Sequence, residues 1–148
     1  MNEQNRLRIE RLTARYADRI KARAPTDEEV FLRAFEDLTE KVIRPTLNDM
    51  ATELRRAGHS PSIVATGDAR SPGIELRLGL LHASATSNAV GFAVIRWVNY
   101  PLQILAYLEV NPPRFDLTRF ASPEEVRPEQ VEQIVVDAIE HVITCNAP

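Results

Sequence analysis

At Gly58 the hydrophobic pattern changes period. Before it, apolar residues recur every three or four positions; after it they alternate, most cleanly through Ile74, Leu76, Leu78 and Leu80, with Glu75, Arg77 and Gly79 between them. The first spacing gathers side chains onto one stripe of a helix, and the second sends them to one face of a strand. A chain that keeps the two patterns in separate blocks is read as α+β, with helices laid on an antiparallel sheet rather than alternating with parallel strands.

Residues 5 to 24 form the first expected helix, with Ile9, Leu12, Tyr16 and Ile20 at helical spacing. Pro25 ends it, because a residue before proline is driven out of the helical region. Thr26 and Glu29 then fit a capping box, and Asp27, Glu28 and Glu29 suit the positive end of a helix dipole. Phe31, Phe35, Leu38, Val42, Thr46, Met50 and Leu54 continue a single stripe to Gly58, which is placed as a left-handed cap. Pro45 lies inside this long second helix and removes a backbone donor, so the spacing predicts a kink near Val42 to Arg44.

Four strands are expected after Gly58: Ser62 to Thr66, Ile74 to Leu80, Ala89 to Val98 and Leu102 to Val110. GDARSPG and Asn99-Tyr100-Pro101 supply turns, ASATSN at 83 to 88 is a polar loop, and Asn111-Pro112-Pro113 is read as the end of the sheet. A linker through Phe115, Leu117 and Phe120 leads to a helical turn at Ser122 to Glu125. Pro128 then opens a last helix whose stripe is Val131, Ile134, Val135, Ala138, Ile139 and Val142. The expected architecture is two N-terminal helices, a four-stranded antiparallel meander and a C-terminal helix in two layers. At 148 residues the chain is one domain, with residues 1 to 24 as a basic interaction arm.

Parity gives this sheet two apolar faces. One carries Ile74, Leu76, Leu78, Leu80, Val90, Phe92, Val94, Ile104, Ala106, Leu108 and Val110; the other carries Gly79, Leu81, Gly91, Ala93, Ile95, Trp97, Leu105 and Tyr107. A single helical layer covers only the first, so the second needs the first helix, a second subunit or a client peptide.

Charge is segregated along the chain. Residues 1 to 24 hold seven basic residues against three acids, whereas residues 25 to 53 hold three against eight. Arg8, Arg11, Arg15, Arg19 and Arg23 fall in one stripe beside the apolar seam of the first helix, where they are expected to grip the second helix through Glu28, Glu29, Glu36, Asp37 and Glu40, in the same subunit or in a second copy.

Catalytic groups are scarce. His141 and Cys145 are four apart and within reach of each other, the least that an activated thiolate needs, but ordinary packing explains them as well. His59 follows a helix cap and His82 ends a strand alone. No metal-ligand spacing is present, and the five glycines never cluster into a phosphate-binding loop, so no metal and no cofactor is expected. One cysteine and a polar N-terminus without an apolar core point to the cytoplasm, and no run of about 20 apolar residues suggests a membrane span.

The first functional expectation is a small cytoplasmic interaction domain, adaptor or chaperone-like and homodimeric. It would bind a protein partner through Arg8, Arg11, Arg15, Arg19 and Tyr16 together with Ile95, Trp97, Leu105 and Tyr107. The alternative is an enzyme or small-ligand binder with a pocket between the sheet and the last helix, lined by Trp97, Tyr107 and His141. Nucleic-acid binding through the arginine stripe stands third, because the chain as a whole carries a net charge of -3.

Overall fold

A computed structural model describes residues 2–22, 24–81, 87–110 and 113–146. Helix α1 spans Glu3–Ala22. Helices α2 (Asp27–Leu38) and α3 (Arg44–Arg56) are joined by a π turn at Thr39–Ile43. Strands β1 (Ser62–Gly67), β2 (Pro72–Arg77), β3 (Asn88–Ile95), β4 (Gln103–Val110) and β5 (Arg114–Phe120) follow, then a 3-10 turn at Pro123–Glu125 and helix α4 (Pro128–Asn146). The sheet is an antiparallel meander ordered β1-β2-β3-β4-β5.

The α+β class and the antiparallel meander are as expected, with two differences in detail. The segment read as one kinked helix is α2 and α3 around a π turn. Pro45 has no N–H to continue the α pattern, and the Arg44 N–H reaches back five residues to the Thr39 carbonyl. The Thr46 hydroxyl donates to the Val42 carbonyl at 2.9 Å, which gives that carbonyl a partner beside the proline. The sheet also has a fifth strand where a linker was expected. The Pro113 carbonyl accepts from the Val110 N–H at 2.9 Å, and β5 from Arg114 runs antiparallel to β4, so the sheet does not end at Val110. Of the expected loop at 83 to 88, residues 83 to 86 lie outside the described residues, and Asn88 already belongs to β3; His82, Arg23, Asn111 and Pro112 lie outside them too.

Local signals hold the helix ends. Thr26 accepts from the Glu29 N–H at 3.2 Å while Glu29 accepts from the Thr26 N–H at 3.3 Å, which completes the capping box. Gly58 caps α3 at φ 92°, a conformation that glycine enters without a Cβ clash.

The first sheet face packs under the helices in the expected register. Ile74 lies opposite Phe92, Leu76 opposite Val90, Val90 opposite Leu108 and Val94 opposite Ile104. Helix α3 lies over β1 and β2, α4 over β3 and β4, and the two helices touch each other. Phe35, Ile43, Leu47, Ala51, Val131, Val135 and Val142 fill the helical side of the core. Fully burying a side chain of this size stabilises by roughly 1.5–3 kcal/mol, and this layer holds the fold together. Helix α1 takes no part in it: each of its described side chains is exposed.

Candidate interaction surface

Cross-strand register builds the second face row by row. Val64, Glu75, Gly91, Tyr107 and Asp116 lie across its middle. Ser62, Arg77, Ala89, Glu109 and Arg114 form the row on one side, and Thr66, Gly73, Ala93, Leu105 and Arg119 the row on the other. The centre is therefore polar. Glu75 is only 6% exposed, accepts from the Tyr107 hydroxyl at 3.1 Å and is paired with Arg77 Nε at 3.4 Å.

Tyr107 reaches Glu75 by lying flat over Gly91, where a Cβ would stand 2.5 Å from the phenol oxygen. The Arg114 guanidinium stacks on the ring, 3.7 Å from its centroid, and Tyr107 is 2% exposed. Burial first, and the Glu75 charge second, push the Tyr107 phenol up to about 12. Within this cluster Glu75 faces the Tyr107 hydroxyl and Arg77, and the Tyr107 ring faces Arg114.

The apolar part of the face lies toward Ile95, Leu105 and Trp97. Ile95 is half-buried and Leu105 is buried, but Trp97, Val98 and Tyr100 stand out in the β3–β4 connection. Arg119 approaches the Trp97 ring at 5.7 Å. A cleft of about 450 Å³ between them is lined also by Tyr100, Pro101, Leu102 and Gln103. Across the same loop, a second cleft of about 520 Å³ adds Asp27, Glu28, Phe31 and Arg96.

Arg96 donates to Glu28 at 2.5 Å and to the Arg70 carbonyl at 2.7 Å, so it ties this loop to the first turn of α2. The hydrogen bond from Arg96 holds the Glu28 carboxyl below the usual carboxylate range. Asp27, which lines the second cleft, is the first residue of α2.

Of the residues singled out from the sequence, Arg8, Arg11, Arg15, Arg19 and Tyr16 share α1, while Ile95, Trp97, Leu105 and Tyr107 belong to the second face. The two groups stay apart, with Tyr16 68% exposed and Trp97 53% exposed. Trp97, Tyr107 and His141 do not share a pocket. His141 lines a separate cleft of about 570 Å³ between β5 and α4 with Phe115, Leu117, Ile134 and Asp137, and Tyr107 is on the opposite face of the sheet. Cys145 Sγ does approach His141 Nε2, at 3.6 Å, with both side chains exposed. No cluster of three or more metal-ligating side chains occurs among the described residues.

Glu75, Arg77 and Arg114 were not picked out by sequence reasoning. The signal for them was the parity of Glu75 in an otherwise apolar strand, which becomes informative once Gly91 and Tyr107 are known to lie beside it. No protein-family model, curated protein or solved structure matches the chain.

Proposed function

We propose that this chain is a protein-interaction domain acting in the cytoplasm, with α1 as its docking arm and the Trp97 corner of the second sheet face as an adjoining contact. One observation carries the reading: α1 holds Leu7, Ile9, Leu12, Tyr16 and Ile20 in water, none of them less than 40% exposed. A twenty-residue helix gains most of its stability from packing an apolar face, and none of the described side chains of α1 is buried. Four such side chains buried on a partner would supply several kcal/mol at roughly 1.5–3 kcal/mol each for complete burial.

Trp97, Tyr100 and Arg119 add the residue types that most often anchor protein interfaces. The apolar seam beside the arginines also favours a protein over nucleic acid, because phosphate contact needs the cations and gives the seam nothing to pack against. Light scattering on the intact chain and on Ile9→Asp with Tyr16→Asp tests this. A self-association that disappears in the variant, with an unchanged circular dichroism spectrum for the body, supports the docking arm. An unchanged mass for a wild-type assembly, or a wild type that neither self-associates nor loses a partner on substitution, contradicts it.

A further inference from the structure

Helix α1 carries six basic residues and three acids over Glu3–Ala22, and its cations are placed unevenly. At 100° per residue, Arg8, Arg11, Arg15 and Arg19 fall on one flank of the Ile9, Leu12, Tyr16 and Ile20 seam. None of these four arginines makes an ion pair among the described residues. Pairing α1 with another α1 would be a poor use of them. An antiparallel pair sets arginine flank against arginine flank, and a parallel pair sets it against a flank whose only acids near the seam are Glu10 and Glu3.

The acids of α2 and of the π turn after it are engaged in part, and Asp27, Glu36 and Asp37 remain exposed. Glu28 is held by Arg96, Glu29 serves the capping box, and Glu40 is paired with Arg44 at 3.2 Å. The exposed face of α2 around Val30 is mixed in charge, with Arg33 beside Asp37, and Arg33 would oppose the arginines.

Helix α4 is different. It contains Glu129, Glu132, Asp137 and Glu140 and no lysine or arginine. With Val131, Val135, Ala138 and Val142 turned into the core, the outer face gathers Glu129, Glu132, Val136, Glu140 and Ile143 within about 80° of arc. Val136 is 39% exposed and Ile143 is 44% exposed, apolar residues left in water on an acidic face. Their seven-residue spacing equals that of Ile9 and Tyr16, so one pair can seat against the other along two turns. Glu129, Glu132 and Glu140 make no ion pair among the described residues.

We infer that the partner of α1 is the outer face of α4 in a second copy of this chain, the two copies exchanging arms about a two-fold axis so that each contact is made twice. The inference rests on α1 being a docking arm and names what it docks on. Ile9, Leu12 and Tyr16 of one copy cover Val136 and Ile143 of the other, and the arginine flank meets Glu129, Glu132 and Glu140.

Charge reversal in the full-length chain tests it. One variant carries Arg8→Glu, Arg15→Glu and Arg19→Glu; the other carries Glu129→Lys, Glu132→Lys and Glu140→Lys. All six positions are exposed, so the body should fold in both, checked by circular dichroism. By sedimentation the wild type is expected at about twice 16.7 kDa. Each variant alone should dissociate with at least a tenfold weaker constant, because both of its contacts oppose like charges. Mixed one to one, the variants should recover a dimer containing one chain of each kind, since both contacts in that pair are again complementary. A dimer weakened by the α1 changes but not by the α4 changes, or a mixture that stays dissociated, overturns α4 as the docking surface and leaves the arm standing. A wild type that is monomeric throughout the accessible concentration range overturns this inference and removes self-association from the underlying reading.

Discussion

The Tyr107 hydroxyl meets Glu75 Oε2 at 3.1 Å across the bare backbone of Gly91. Three strands supply the three residues, so the contact fixes the register of β2, β3 and β4 on the face that the helices do not cover. The closeness makes it sensitive to a single added methyl group. Gly91→Ala would place Cβ 2.6 Å from the Tyr107 ring and 2.8 Å from the Glu75 Cβ, and the ring has to lift. The expected cost is about 1–3 kcal/mol, read as a lower urea midpoint at unchanged slope. Tyr107→Phe keeps the ring and removes only the donor to a buried carboxylate, for which roughly 1–3 kcal/mol is expected.

The same contact predicts an alkaline limit to stability. Burial and the neighbouring Glu75 charge raise the Tyr107 phenol from 10.0 to about 12 in the folded state. Its contribution is therefore whole below pH 10, where folded and unfolded chains both hold the proton. It is lost as pH climbs from about 10 to about 12, where the unfolded chain has already released the proton. Urea midpoints for wild type and Tyr107→Phe should converge across that window. Parallel curves would remove Tyr107 from the account.

Core and arm should respond oppositely to truncation. Phe92 is fully buried between the sheet and the helices, and Phe92→Ala is expected to cost about 3–5 kcal/mol. Leu12 is large and apolar but 51% exposed, so Leu12→Ala should leave the stability of a dilute monomer within about 0.5 kcal/mol while weakening any assembly. Chemical denaturation at low concentration separates the two effects.

The cap of α2 is a smaller test of the helical layer. Thr26→Ala removes the acceptor for the Glu29 N–H and should cost about 1 kcal/mol, visible as a lower thermal midpoint.

Much of this architecture was legible because local chemistry and tertiary packing agree. Thr26 with Glu29, Gly58 and Pro128 mark helix ends by mechanisms that operate within a few residues. The alternation of Ile74 to Leu78 and of Val90 to Val94 leaves one choice of buried face. β5 was not legible, because Arg114–Phe120 is an edge strand with six of its seven residues exposed, and a bulge opposite Ala106 and Tyr107 breaks its alternation. The polar centre of the second face was hidden for a different reason. Parity places Glu75 on that face, but only cross-strand register puts Tyr107 and Gly91 next to it. Val136 and Ile143 went unremarked because α4 has a strong apolar stripe elsewhere, and two further apolar residues gain meaning only when that stripe is turned inward.

Everything functional depends on α1 being held by something other than its own chain. Amide hydrogen exchange along Glu3–Ala22, measured on the intact chain at high and low concentration, addresses this most directly. The account predicts protected α1 amides in the concentrated sample, losing protection on dilution while β3 and β4 stay protected. Unprotected α1 amides at every concentration, or protection that dilution leaves untouched, would contradict it.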